Sequence, residues 1–335
     1  MPKKILIMGA GGFGISLAIT CQNAGCDVLL WSHNVEQVKK LSINREDEKL
    51  LNGAKIPLEI EIISVLKALQ EQDIIIIATP SSAVRETCKR LQGKLHSKTI
   101  IVCVSKGLEK NTLKLMSDII DEELPENHNV ILSGPSHAEE IAKGIPTTVV
   151  AASKHRKSAE EIQEVLMNRT LRIYVSDDVI GVELGAALKN IIAMAAGVID
   201  GLELGDNPKA ALMTRGITEI ARLGVKMGAK RETFAGLAGI GDLIVTCTSM
   251  HSRNRRAGIL VGQGLTPAQA VEQIGMTVEG YFTAKSAYLL SKKMDVDMPI
   301  VEQVYKVIYE EKEPKQAIRD LMARPKRHES EESWI

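Results

Sequence analysis

The 335-residue chain is predicted to fold as an N-terminal α/β domain with a parallel, doubly wound sheet, followed by an all-α domain. Three observations lead to this prediction. Short apolar runs alternate with helical periodicity up to about residue 175, a glycine-rich turn at 9–14 joins the first run to the first helix, and strand signals nearly cease after Asp178. We therefore divide the chain into domains 1–178 and 179–323 and a charged, aperiodic tail, 324–335, which we expect to be disordered.

The first domain begins with a strand, a turn, a helix and a second strand, predicted from an apolar run at 4–8, helical periodicity at 15–23 and another apolar run at 27–31. Helices are predicted at 83–92 and 109–121. Further buried strands are predicted at 74–78, 99–104, 129–132, 146–152 and 171–175.

The second domain is predicted to be helical throughout. Residues 179–199 are Ala-rich and apolar nearly all round, which indicates a buried helix. Asp206-Asn207-Pro208 reads as a cap followed by proline at the first helical position, and helical periodicity continues to about Met322.

Composition bounds the function. Lys plus Arg and Asp plus Glu both number 42, so the formal net charge is zero, and no global field attracts nucleic acid or an anionic membrane. We find no apolar run long enough to span a bilayer and no signal peptide at the start. Five scattered cysteines without CxxC and seven histidines without HxxxH predict reduced thiols, a cytoplasmic protein and no metal site.

The turn after the first predicted strand has the spacing GxGxxG, formed by Gly9, Gly11 and Gly14. This spacing permits a tight turn, close backbone approach to a pyrophosphate and close packing of helix on strand. Glycine turns are common. Here, however, the motif follows a strand and opens a helix, and this context favours the dinucleotide-binding Rossmann domain over a plain turn.

The end of the second predicted strand lacks the carboxylate that usually holds the ribose hydroxyls of NAD. Trp31, Ser32 and His33 lie there, and Asp27 is at the opposite end of the strand. A 2′-phosphate would not be repelled, and His33 could contact it, which would favour NADP(H). Alternatively, His33 is an ordinary exposed loop residue.

Ligands of such sheets bind at the carboxyl ends of the strands. Three predicted strands end in small and polar segments, 78–81, 104–107 and 133–136, which leave room for a cofactor. Lys106 in the second of them would add a cation to the crevice, although a solvated loop lysine is the alternative.

Lys189 is the only cation on the apolar helix predicted at 179–199. Burial of an ammonium is costly unless it is paired, and burial lowers its pKa towards the range in which lysine works as a general acid or base. The alternative is a lysine at the helix edge whose charged end reaches solvent.

Asp242 follows the glycine-rich turn 236–241, where its carboxylate could be presented to a partner. Arg253, Arg255 and Arg256 form a local basic cluster in this neutral chain, and the planar fork of arginine suits phosphate. A solvated surface patch is the alternative for this cluster.

Together these segments resemble the bacterial-type NAD(P)-dependent sn-glycerol-3-phosphate dehydrogenases. The resemblance rests on motifs that occur in the order of the family and cover nearly the whole chain to Met322: GAGGFG at 9–14, SKGL at 105–108, SGPSHAEE at 133–140, ALKN at 187–190, GLAGIGDL at 236–243, SRNRR at 252–256 and VEGY at 278–281.

The resemblance implies a Rossmann domain followed by a helical domain like that of 6-phosphogluconate dehydrogenase. It implies reversible reduction of dihydroxyacetone phosphate to sn-glycerol 3-phosphate with NADP(H) or NAD(H), in a cytoplasmic homodimer that supplies phospholipid synthesis. Lys189 matches the catalytic acid/base, Lys106 a contact to both ligands, and Asp242 the catalytic region. The other matching substrate contacts are Gly134, Ser136, Ser252, Arg253 and Asn254. The other matching cofactor contacts are Gly9, Gly11, Gly12, Phe13, Gly14, Ala138, Arg253 and Glu279.

Two other functions remain open at this point. One is a dehydrogenase of similar architecture that acts on a hydroxy acid or ketopantoate, against which the segment 236–256 argues. The other is a dinucleotide-binding redox regulator, which would need neither a buried lysine nor a phosphate cluster.

Overall fold

The computed structural model describes residues 2–326 and 328–329, and part of the tail predicted at 324–335 therefore lies outside the described residues. The described chain forms one eight-stranded sheet in the order β3-β2-β1-β4-β5-β6-β7-β8. Its strands are β1 (Lys4–Met8), β2 (Asp27–Trp31), β3 (Glu61–Ile63), β4 (Ile74–Ile77), β5 (Ile100–Cys103), β6 (Asn129–Ser133), β7 (Thr147–Ala152) and β8 (Leu171–Ser176).

Helices accompany the sheet and then follow it. Those between strands are α1 (Gly12–Asn23), α2 (Val35–Asn44), α3 (Glu48–Leu51), α4 (Val84–Leu91), α5 (Met116–Glu123), α6 (Ala138–Ala142) and α7 (Arg156–Leu166). Those after the sheet are α8 (Val179–Gly201), α9 (Asp206–Lys226), α10 (Arg231–Phe234), α11 (Asp242–Thr248), α12 (Arg253–Gly262), α13 (Pro267–Ile274), α14 (Glu279–Lys293), α15 (Pro299–Tyr309) and α16 (Pro314–Met322).

The α/β domain followed by an all-helical region confirms the predicted fold class. Each predicted strand is present, with ends that differ by at most a residue or two. The boundaries at 178 and 323 remain predictions, although α8 begins at Val179 and α16 ends at Met322. The prediction missed β3, which is a three-residue edge strand paired with β2 and too short to show a periodic pattern.

The prediction of an all-parallel sheet is wrong at one position, because β7 runs antiparallel to β6. The chain between them stays at the carboxyl end of β6, where the Gly134 carbonyl contacts the Lys106 ammonium and the His137 ring contacts the Val245 carbonyl oxygen. Since this connection does not cross the sheet, β7 has to run back.

Two predicted helix starts are also wrong. The helix predicted at 109–121 begins only at Met116, because Leu113 adopts a left-handed conformation (φ 62°) and the segment before it forms an irregular loop. Helix α9 begins at Asp206 with Gly205 as its cap, so Pro208 is the third helical residue rather than the first.

The two faces of the sheet bury separate apolar clusters. One is made by residues of the α/β domain, whereas the other also includes Val179, Val182 and Ala238 of the helical domain. Conversely, Leu108 and Leu115 of the loop between β5 and α5 enter the core of the helical domain. Apolar packing therefore fixes the helical domain against the sheet from both sides of this junction.

Helix α8 lies at the centre of the helical domain. Within the described residues it is the one unbroken helix long and apolar enough to cross a bilayer, with a mean hydropathy of 1.6, yet 89% of its most apolar window is buried in the protein. Glu183, Lys189 and Asp200 interrupt its apolar sequence, and the apolar character of α8 serves the core. Asp178 caps the helix by accepting a hydrogen bond from the Gly181 amide at 2.9 Å.

Glycines allow α8 and α12 to cross at unusually close range. A Cβ on Gly197 would lie 2.0 Å from the Arg255 carbonyl oxygen, and a Cβ on Gly258 would lie 2.0 Å from the Met194 carbonyl oxygen. Backbone therefore packs on backbone here, which holds the start of α12 against the middle of α8.

Gly258→Ala should lower the free energy of unfolding by about 3 kcal/mol, because the new methyl group meets backbone that cannot move aside. Gly216→Ala is the comparison variant and should cost less, since the atoms nearest to its Cβ belong to the side chain of Ile192, at 2.9–3.0 Å, rather than to backbone, and alanine favours a helix by about 1 kcal/mol. Urea unfolding of both variants measures the difference. Equal stabilities would show that the crossing tolerates separation.

Candidate active site

The glycine-rich turn after β1 leaves space for a pyrophosphate. Gly9 has a φ of 126°, and a Cβ there would lie 2.7 Å from the Ala78 carbonyl oxygen, so β1 and β4 approach closely at this turn. A Cβ on Gly11 would meet no atom within 4 Å, so this position faces open space. No side chain caps α1 at Gly11, which leaves its first amides for an anion. The turn therefore fits a dinucleotide cofactor. Gly12 and Phe13 begin α1, and Phe13 packs against the core of the domain.

The end of β2 is built from neutral groups. The Ser32 hydroxyl donates to Gln37 Oε1 at 2.7 Å, and Gln37 Nε2 donates to the Ala10 carbonyl oxygen at 2.8 Å. Asp27 is the first residue of β2, far from this end. His33 is exposed and lines a cavity of about 730 Å³, which Lys40 and several acidic residues also line.

Three ionised side chains meet where the α/β domain faces α8 and α11. The Lys189 ammonium on α8 donates to Asp242 Oδ1, and the Lys106 ammonium, from the loop after β5, donates to Asp242 Oδ2 at 2.9 Å. Asp242 is 1% exposed, whereas the side chain of Lys106 is 18% exposed. One buried carboxylate on α11 thus joins a lysine from each domain.

Burial and neighbouring charge set the protonation of this group. The pKa of Lys189 is lowered to about 7: burial is the main cause, the charge of Lys106 acts in the same direction, and the Asp242 carboxylate opposes both. Burial alone would raise the pKa of Asp242, but the two ammonium groups outweigh it and hold that pKa below its usual range. Lys189 can therefore gain and lose a proton near neutral pH beside a permanent carboxylate.

Thr246 is a further hydrogen-bond partner of Lys189, and the sequence analysis assigned it no role. Its hydroxyl oxygen accepts from the Lys189 ammonium at 2.7 Å and donates to the Asp242 carbonyl oxygen at 2.6 Å. The spacing of four residues from Asp242 places both on one face of α11, and this spacing was the signal available in the sequence.

The loop after β6 forms another part of the same site. The Gly134 carbonyl oxygen accepts from Lys106 Nζ at 3.3 Å and from the Ser136 hydroxyl at 2.8 Å. Ala138 is the first residue of α6 and is half-buried against the core. Gly134 therefore contacts the ionised group directly, and Ser136 is linked to it through the Gly134 carbonyl oxygen.

The segment at the start of α12 presents one free guanidinium. The Ser252 hydroxyl caps α12 by accepting from the Arg255 amide, and Arg253 is its first residue and is exposed. Asn254 is buried and donates to Asn190 Oδ1 at 2.9 Å while accepting from the Gly280 amide at 2.8 Å. Asn254 thus links α12 to α14 and to the residue after Lys189.

The predicted cluster of three arginines is not a single patch. Arg255 Nε donates to Asp200 Oδ2 at 2.7 Å, and its Nη1 donates to the Thr248 carbonyl oxygen at 2.9 Å. The Asp200 carboxylate, which lies on α8 beside the close crossing with α12, thus neutralises the charge of Arg255. Arg253 remains the exposed donor at the helix start.

Glu279 joins α14 to the loop after β4. Its carboxylate accepts from the Ser81 hydroxyl at 2.8 Å and from the Ser81 amide at 3.3 Å. A Cβ on Gly107 would lie 2.7 Å from Ser81 and 3.6 Å from Glu279, so these residues lie next to the segment that carries Lys106. Contacts thus join Lys106, Asp242, Lys189 and Gly134 directly, whereas the glycine turn and His33 lie at other strand ends.

Comparison with known proteins agrees with this geometry. The sequence profile described as "NAD-dependent glycerol-3-phosphate dehydrogenase N-terminus" matches residues 4–159, and the corresponding C-terminus profile matches residues 178–319. A glycerol-3-phosphate dehydrogenase [NAD(P)+] of Clostridium perfringens is 50% identical over 98% of this chain and 99% of its own length. One from Fusobacterium nucleatum is 49% identical over 99% of both chains.

A solved structure shows the same architecture. The glycerol-3-phosphate dehydrogenase of Coxiella burnetii superposes with a TM-score of 0.93 at 37% identity, over 96% of this chain and 99% of that one. The two matching profiles together cover most of the chain, and the relatives align over nearly its whole length. The chain therefore belongs to the NAD-dependent glycerol-3-phosphate dehydrogenase family.

Proposed function

We propose that the chain catalyses the reversible reduction of dihydroxyacetone phosphate to sn-glycerol 3-phosphate with NADPH or NADH. The observation that supports this most directly is the buried Asp242 carboxylate held between Lys189 and Lys106 at the carboxyl ends of a dinucleotide-binding sheet. A ketone reduction needs a hydride and a proton, and this group supplies a proton donor with a matched pKa.

The nicotinamide supplies the hydride when the cofactor is bound. The carbonyl carbon gains the hydride, its oxygen becomes an alkoxide, and Lys189 Nζ gives that oxygen its proton. Asp242 and Thr246 each take one hydrogen bond from the ammonium, which leaves its third N–H for the substrate. Lys106 places a second positive charge next to the developing alkoxide. In the oxidative direction, neutral Lys189 accepts the proton instead.

The phosphate of the substrate fits the start of α12. Arg253 offers a guanidinium there, and the first amides of α12 point in the direction that favours an anion. Ser252 and Asn254 act through their backbone and by fixing this helix start, because their side chains are occupied in the fold.

The two other functions are less well supported. A D-mandelate dehydrogenase and a ketopantoate reductase share the fold, with TM-scores of 0.65 and 0.60, at 15% and 14% identity. A regulator would not require the costly burial of Lys189 with Asp242. Loss of NADPH absorbance on addition of dihydroxyacetone phosphate, but not of ketopantoate or unphosphorylated dihydroxyacetone, tests the proposal.

The setting of the reaction is also proposed. Among the described residues all five cysteines are buried and unpaired, which supports a reducing, cytoplasmic environment. A homodimer and a role in supplying phospholipid synthesis follow from the resemblance to the family.

Lys189→Met should lower the rate of reduction by about 10²–10⁴-fold while NADPH binding and the fold survive, because the proton donor is lost and Lys106 still pairs with Asp242. The wild-type kcat/KM for dihydroxyacetone phosphate should be constant below the Lys189 pKa of about 7 and fall above it, since the donor must be protonated. The oxidation of glycerol 3-phosphate should rise with pH over the same range. A folded Lys189→Met enzyme with near wild-type turnover would leave Lys106 as the candidate donor.

Arg253→Ala should weaken binding of dihydroxyacetone phosphate by tens-fold or more, since a charge-assisted contact to phosphate contributes roughly 1.5–3 kcal/mol. Arg256→Ala is the control, because Arg256 is a half-buried neighbour on the same helix without a predicted contact to substrate. Substrate titration and thermal unfolding of both variants separate binding from folding. Wild-type kinetics in Arg253→Ala would identify that side chain as surface charge only.

NADPH should be used, because β2 ends in Ser32 and His33 rather than in the carboxylate that binds the ribose hydroxyls of NAD, although Glu36 and other acidic residues line the same cavity as His33. His33→Asp should reduce kcat/KM for NADPH more than for NADH, since a carboxylate repels a 2′-phosphate. His33→Asn is the control, because asparagine has the size of aspartate but carries no charge. A wild-type enzyme that strongly prefers NADH would contradict this prediction.

A further inference from the structure

Lys106 lies on a loop that has little regular structure of its own. No helix or strand occurs between Cys103 and Met116 in this described part of the chain. Yet the Lys106 ammonium must stay within hydrogen-bonding distance of Asp242 on the other domain. Something outside the loop must therefore fix its path.

Arg85 on α4 binds this loop through a bidentate ion pair. Its Nε donates to Glu109 Oε1 at 2.7 Å, and its Nη2 donates to Glu109 Oε2 at 2.8 Å. Glu109 follows Lys106 by three residues, and the side chains of Arg85 and Glu109 are only 25% and 19% exposed. A paired, shielded fork of this kind fixes both distance and orientation.

The same guanidinium also holds the far end of the loop. Arg85 Nη1 donates to Glu123 at 2.5 Å, and its Nη2 donates to Glu122 at 2.9 Å, both on α5. One cation thus joins the loop and the helix that follows it, and it faces three carboxylates. Of these, Glu122 is also paired with Lys114. Removal of Arg85 would leave mutually repelling charges at this point.

Apolar anchors of the loop lie on either side of Glu109. Leu108 and Leu115 enter the core of the helical domain, and the Ser105 hydroxyl donates to the Thr79 carbonyl oxygen at 2.5 Å. At Glu109 itself, the amide donates to the Lys114 carbonyl oxygen at 3.0 Å and the carbonyl oxygen accepts from the Leu113 amide at 2.9 Å, so these bonds close the loop on itself. The Arg85–Glu109 pair ties this part of the loop to α4.

We propose that Arg85, through its ion pair with Glu109, is a positioning residue that sets the distance of the Lys106 ammonium from Asp242 and so from the substrate. This inference rests on the proposed function. Arg85 touches neither Lys106 nor Asp242 and acts only through the loop.

The proposal has a consequence for the proton donor. Lys106 shares the Asp242 carboxylate with Lys189, and its charge helps to lower the pKa of Lys189. When Lys106 moves away, that pKa rises. A displaced loop therefore shifts the pH dependence of reduction upwards, which a general loss of stability would not do.

The experiment is a double-mutant cycle on dihydroxyacetone phosphate reduction with Arg85→Gln, Lys106→Met and the double variant. Arg85→Gln should lower kcat/KM by about tenfold or more, as expected for a displaced catalytic group. KM for NADPH should stay unchanged, and the fall of rate with pH should begin at higher pH. The double variant should be no slower than Lys106→Met. The proposal would be overturned if the double variant lost activity by the product of the two single losses, or if the pH profile of Arg85→Gln were unshifted.

Controls separate positioning from folding. Arg85→Lys keeps the charge without the fork and should recover only part of the rate, whereas Arg324→Gln, which removes a comparable ion pair with Asp297, should leave the rate unchanged. Amide hydrogen exchange should increase in residues 105–115 of Arg85→Lys and not in α8. Hydrogen exchange does not depend on activity, so it tests the role of Arg85 in the loop independently. If the wild-type protein failed to reduce dihydroxyacetone phosphate, that result would refute the proposed function alone. Unchanged exchange would overturn the positioning role.

Discussion

The carboxylate of Asp242, buried between two ammonium groups, is the interaction on which the rest of the structure depends. Burial of one charge without a partner costs several kcal/mol, so neither Lys189 nor Asp242 could remain ionised at this depth alone. Together with Lys106 they form a group of net charge +1, in which Lys189 holds its proton loosely and Asp242 does not hold one. This combination suits a proton donor for a ketone.

The fold can be understood as the means of bringing these three residues together. Lys189 comes from α8, Asp242 from α11 and Lys106 from a loop of the other domain. The close crossing of α8 and α12 fixes the helical side, and the entry of Leu108 and Leu115 into the helical core fixes the other. The domain junction is therefore the site itself, and small displacements at the junction change the distances between the charges.

Much of this could be predicted from the sequence, because the strongest signals are local. The glycine turn after β1, the buried strands and the lone lysine on an apolar helix each follow from periodicity or from the cost of burial. What could not be predicted depends on contacts between distant segments. The reversal of β7, the irregular loop before α5 and the pairing of Arg255 with Asp200 are set by packing at the domain junction, which leaves no periodic trace in the sequence. The role of Thr246 was missed because it depends on the Lys189 ammonium, which a distant segment of the chain brings next to its hydroxyl.

The most direct test of this account is the ionisation of Lys189 itself, measured by NMR of lysine side chains labelled with ¹³C at Cε, with Lys189→Met to assign the signal. The account predicts a signal that titrates near pH 7 in the wild-type protein. In Asp242→Asn it should titrate at lower pH, because the opposing carboxylate is gone while burial and Lys106 remain. A Lys189 signal that titrates near pH 10, as in an exposed lysine, or that is unaffected by Asp242→Asn, would contradict it.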